Sequence, residues 1–122
     1  TSKQPGAIEK TSDGYTYLNP AVFPQDFAAD LPLKTAQFES HAQILTAAQV
    51  FSAPMTVAAW TTKPSWAIVA GDDKIINPDL ERFMAKRAGS KTIELNSSHV
   101  AYISHPKEVA KLIEQAAENS GK

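Results

Sequence analysis

Trp66-Ala67-Ile68-Val69-Ala70 is an uninterrupted apolar run that stops at Gly71-Asp72-Asp73. Its length is that of a strand. Apolar side chains on both faces imply burial on both sides, as in a parallel sheet with helices above and below; a one-sided sheet would alternate. Toward the C-terminus, Asn77-Pro78 starts a helix, because Asn accepts from a free first-turn amide and Pro needs no partner for an amide there. The apolar residues Leu80, Phe83, Met84 and Ala88 fall near helical spacing, and Gly89 marks the stop. Thr92-Ile93-Glu94-Leu95 alternates polar with apolar, the pattern of a half-exposed strand near a sheet edge. A last helix opens near Pro106, with Val109, Leu112, Ile113, Ala116 and Ala117 forming a one-sided stripe. Residues 63–122 therefore read β-α-β-α, the series of a parallel α/β sheet. Two strands do not make a sheet buried on both faces, so the strand at Trp66–Ala70 calls for a further parallel neighbour.

Residues 1–62 differ in character, being rich in Ala, Gln, Thr and Pro. Residues 1–6 are polar and expected to be loose. Residues 7–10 and 15–18 flank Ser12-Asp13-Gly14, and an Asp-Gly turn between β-prone runs predicts a hairpin. Asn19-Pro20 predicts a helical turn. Pro32 opens a helix expected to run through Lys34, Phe38 and Ile44. Thr46-Ala47-Ala48-Gln49 has capping-box spacing and predicts a third short helix with Val50 and Phe51. Short helices after a hairpin read as a cap or lid over residues 1–62.

Composition narrows the function. The 122 residues are 43% hydrophobic and 20% charged, with a formal net charge of −1. The Lys and Arg residues are scattered, so the concentrated basic face of a nucleic-acid binder is missing. No apolar stretch approaches the roughly 18 residues of a membrane span. With no Cys, disulfides and thiol nucleophiles are excluded. His41, His99 and His105 lack metal-ligand spacing, so neither a metal nor a cofactor is expected.

In open α/β sheets, functional groups gather at the carboxyl ends of the strands. Asp72-Asp73 follow the first strand, and Asn96-Ser97-Ser98-His99 follow the second. Parallel and adjacent, the strands would bring a carboxylate to an imidazole. The carboxylate then fixes the imidazole tautomer and stabilises the imidazolium, which is the acid–base half of a triad. Each residue alone has an ordinary reading. Asp after a strand commonly caps a turn, and a His after Ser-Ser is commonly a loop residue. His105 precedes Pro106 and helps start a helix, and His41 reads as a surface or lid residue. Ser97 and Ser98 lack the Gly-x-Ser-x-Gly elbow, which occurs nowhere in the chain.

The combination resembles the α/β-hydrolase family, in particular its small bacterial esterase-like members. The segment from Ser65 through Gly71-Asp72-Asp73-Lys74 to Asn77-Pro78 is similar to the family's acid segment. The segment from Ser97-Ser98-His99 to Pro106-Lys107-Glu108-Val109 is similar to its histidine segment. The resemblance is good over residues 59–117 and looser over 7–58, which look like the family's cap. It implies that Asp73 is the catalytic acid, with Asp72 the weaker candidate, and that His99 is the base. Many members carry Gly where this chain has Ser98. The family order, with Ser before acid and His, implies about 100–150 further residues before Thr1. The nucleophile is then expected on an N-terminal segment or a partner chain.

Phe51, Met55 and Trp60 lie just before the acid strand, where they either line an apolar acyl pocket or anchor the cap. The implied activity is hydrolysis of small apolar esters or related acyl compounds by a serine hydrolase. The alternatives are a non-catalytic interaction half-domain on the same scaffold, or a haloperoxidase-like or lyase-like enzyme.

Overall fold

The computed structural model describes residues 7–119, so the expected loose end at residues 1–6 lies outside it. The chain enters as β1 (Ile8–Lys10) and β2 (Tyr15–Leu18), paired antiparallel around the Asp13-Gly14 turn as the hairpin pattern requires. Asn19 then opens a helical turn. Its Oδ1 accepts from the Ala21 amide, and its carbonyl accepts from Val22 and Phe23. The turn continues into α1 (Phe23–Asp26).

The next helix, α2, spans Leu33–His41 and stops short of Ile44, which stands 92% exposed. The cause is Gln43. Its side-chain Nε2 donates to the carbonyls of Ser40 and Leu18, and its Oε1 accepts from the Leu18 amide. One side chain thus ends the helix and ties it to β2, satisfying a helix-end carbonyl that would otherwise be free. Thr46 is likewise not a helix cap. Thr46–Ala47 form β3, antiparallel to β2, with Thr16 Oγ1 donating to the Thr46 carbonyl. A β-branched residue suits that strand. The following residues, Ala48–Phe51, form a 3₁₀ turn with no side-chain cap.

The second sheet carries the site. β4 (Trp66–Ala70) and β5 (Lys91–Leu95) run parallel in continuous register, from Trp66 opposite Lys91 to Ala70 opposite Leu95. Among the described residues no strand covers the other edge of β4. Gly71 donates to the Leu95 carbonyl at 2.8 Å. A Cβ at residue 71 would lie 3.2 Å from that same oxygen, so this crossing over the end of β5 favours Gly.

α3 (Pro78–Arg87) starts where Asn77 Oδ1 accepts from the Asp79 amide, and Gly89 at φ +64° takes the left-handed position after it. Replacing Asn77 with Ala is expected to cost about 1 kcal/mol, the usual worth of such a cap. A urea melt checks this. The apolar stripe of α3 is not covered as its spacing suggests. Ala85 is buried, while Phe83 is 60% exposed and Leu80 and Met84 are also exposed. A two-stranded sheet is too narrow to shield that whole face. β5 leads through α4 (Ala101–Ser104) into α5 (Pro106–Asn119), which buries Leu112 and half-buries Val109 and Ala116. No helix among the described residues is long and apolar enough to cross a membrane.

Phe23, Ala28 and Ala36 from α1, α2 and their junction form one apolar cluster with Val100, flanked by Leu18, Phe27 and Leu31. Burying a Phe of this kind contributes roughly 1.5–3 kcal/mol. The cluster seats the first half of the chain against the residue that follows His99.

Candidate active site

Asp73 is presented by a tight turn off β4. Its amide donates to the Ala70 carbonyl, and its Oδ1 accepts from the amides of Ile75 (2.7 Å) and Ile76 (3.1 Å). Those bonds fix the carboxylate plane and leave Oδ2 for one further partner. Two residues past the end of the neighbouring strand β5 lies the buried pair Ser97 and Ser98, and the Asp72 amide donates to the Ser97 carbonyl. Two adjacent parallel strands thus deliver their following residues to one edge.

There His99 Nδ1 lies 2.6 Å from Asp73 Oδ2. The Asp73 side chain is fully buried, and that of His99 is 29% exposed. An ionised carboxylate only accepts, so Nδ1 carries a proton and donates it to Asp73. The Phe27 ring packs on the imidazole with centroids 4.6 Å apart. Asp72 is exposed, and no hydrogen bond joins it to His99. His41 bonds within its own helix to Gln37, and His105 sits beside Ser104 at the start of α5, both as ordinary local residues.

Burial pushes the Asp73 carboxyl up, but the His99 hydrogen bond and the two backbone amides outweigh it and hold the group below the usual Asp range. A carboxyl depressed on folding stabilises the fold above its unfolded pKa, and that contribution disappears as pH falls through the folded value. Between about pH 5 and pH 3 the wild type is therefore expected to lose more stability than Asp73→Asn, since only the wild type gives up an ionised partner. Thermal melts across that window measure the difference.

Glu81 of α3 completes the inner side. Its Oε2 accepts from the Ala70 amide at 2.8 Å, on the uncovered edge of β4. Burial raises its pKa, and neighbouring Asp73 adds to the rise against the opposing Ala70 bond. Asp73, Glu81 and His99 offer oxygen and nitrogen atoms within 4.8 Å of one another. Two of these atoms, however, are already bonded to each other at 2.6 Å. Two ligands of a tetrahedral zinc at about 2.1 Å would stand about 3.4 Å apart. The observed arrangement is a hydrogen-bonded pair, and an ion would have to break it.

His99 opens onto a cavity of about 620 Å3 whose lining is largely apolar and includes Leu18, Phe27, Phe51, Ile75 and Ile76, with the polar Glu39 and Gln43 also on its wall. Of the residues expected to line an acyl pocket, Phe51 is the one on this wall. Trp60 lies under the Arg87 guanidinium, 5.3 Å from ring centre to Cζ, and Met55 is 82% exposed on the connecting segment. Sequence reasoning missed Phe27, Glu81 and Asp30. Asp30 accepts from both the amide and the hydroxyl of Ser98.

No curated protein matches the chain. The sequence profile described as the alpha/beta hydrolase family matches residues 3–112. That match spans most of the sequence, both site residues included, and the chain belongs to the alpha/beta hydrolase family.

Proposed function

We propose that this chain supplies the acid and base of a serine hydrolase acting on small apolar esters or related acyl compounds. The observation that carries the reading is the 2.6 Å Asp73–His99 hydrogen bond at the carboxyl edge of two parallel strands, facing an apolar cavity. The nucleophilic Ser comes from outside residues 1–122, on an N-terminal segment or a partner chain. The uncovered edge of β4 and the exposed apolar side chains of α3 favour such a neighbour. In this reading residues 63–122 are the C-terminal part of the hydrolase core and residues 1–62 are its cap.

The chemistry then follows from the atoms. The Ser hydroxyl attacks the ester carbonyl while His99 Nε2 takes its proton, and buried Asp73 stabilises the imidazolium at Nδ1. Collapse of the tetrahedral intermediate expels the alcohol, which receives that proton. Water then repeats the sequence on the acyl-enzyme. Phe51 forms one wall of the acyl pocket, with Met55 and Trp60 on the segment that runs from it to β4.

Hydrolysis of p-nitrophenyl esters of graded acyl length by the native protein tests this. Turnover that favours short to medium apolar chains is expected. No release above buffer with any ester would overturn the proposal.

A further inference from the structure

His99 is gripped from two directions by one short stretch of the first half of the chain. Phe27 covers the ring face. Three residues on, Asp30 holds the backbone: Oδ2 accepts from the Ser98 amide at 3.0 Å, and Oδ1 accepts from the Ser98 hydroxyl at 2.5 Å. The same hydroxyl accepts from the Val100 amide at 3.4 Å. Ser98 and Val100 are both buried, and Val100 belongs to the apolar cluster with Phe23, Ala28 and Ala36. The residues on either side of His99 are therefore anchored through one carboxylate that lies 68 positions away in sequence.

We propose that Asp30 is a positioning residue for His99, coupling the seating of residues 7–47 to the alignment of the imidazole on Asp73. The inference rests on the reading of His99 as the base. A carboxylate taking two donors from one residue fixes orientation as well as distance, which a single bond does not. The alignment it protects is narrow, because a displacement of about 1 Å separates a productive base from a poor one. The Ser98 hydroxyl is what makes the second of these bonds. A Gly could offer Asp30 its amide alone. When the first half shifts away, the Ser98 grip and the Phe27 contact are lost together, and the imidazole is free to turn from Asp73.

Asp30→Asn and Ser98→Ala in the native protein test this. The readouts are the ¹⁵N resonances of the His99 ring and the separate values of kcat and KM on an ester. In Asp30→Asn the fraction of His99 carrying its proton on Nδ1 is expected to fall. With it, kcat should drop about tenfold to a hundredfold while KM stays within about twofold, the signature of a misplaced base. Ser98→Ala keeps one of the two bonds and should move the same way by less. A lowered melting temperature with unchanged His99 resonances and unchanged kcat means that Asp30 only stabilises the fold, and the proposal fails. If Asp30→Asn does not fold, Ser98→Ala decides on the same terms. A wild type that turns over no ester, with variants that still disturb the His99 tautomer, rejects the hydrolase reading and keeps the positioning role.

Discussion

Replacing His99 with Ala is expected to lower ester turnover by about four to six orders of magnitude, the range seen when the base of a triad is removed. KM should change little, because the cavity walls at Leu18, Ile75 and Phe51 remain. The fold should survive. The His99 side chain is partly exposed, and Asp73 keeps its two backbone amides. What the variant does lose is the partner of a buried carboxylate oxygen, at a cost of about 1–3 kcal/mol. A native circular dichroism spectrum with a modestly lower melting temperature and near-zero kcat is the expected result. Turnover close to wild type would remove His99 from the mechanism.

Asp73→Asn should lower kcat by about 10⁴-fold, through the wrong tautomer more than through lost structure. The amides of Ile75 and Ile76 already claim one Asp73 oxygen, so the Asn carbonyl oxygen must stay with them. Its NH₂ group then faces His99 Nδ1 and donates to it. The ring proton is forced onto Nε2, where the base needs a lone pair. Because Asp73 acts only through His99, the double variant Asp73→Asn/His99→Ala should be no slower than His99→Ala alone. Kinetics on the three variants, with ¹⁵N resonances of the ring in Asp73→Asn, check both points.

The meeting of Asp73 with His99 was legible because each follows its strand within a few residues. Trp66–Ala70 shows its strand in an unbroken apolar run, although only Val69 and Ala70 are buried and the first three residues are half-buried; Gly71 marks the turn, and His99 comes four residues after Leu95. Parallel pairing of the two strands then dictates the meeting. Local spacing alone did not decide the choice between Asp72 and Asp73, which only the family resemblance tipped toward Asp73. It depends on which carboxylate the turn directs inward, and the Ile75 and Ile76 amides make that Asp73. Asp30 and Phe27 gave no local signal, since an Asp in a loop looks the same whether or not a Ser 68 residues away reaches it. The end of α2 was missed because the Gln43 side chain, bonded to Leu18 across the fold, overrides a helical pattern that continues to Ile44. Glu81 carried no signal of its own, being one of two acidic residues in the first turn of α3, yet its carboxylate accepts from the Ala70 amide of β4.

In the proposed function, Asp73 and His99 activate a Ser lying outside residues 1–122. Treating the native protein with a fluorophosphonate, which labels only activated serines, and then measuring intact and peptide masses tests it most directly. One adduct, on a Ser outside residues 1–122 and absent in His99→Ala, is the predicted result. No adduct, or an adduct formed as fast in His99→Ala as in wild type, contradicts the account.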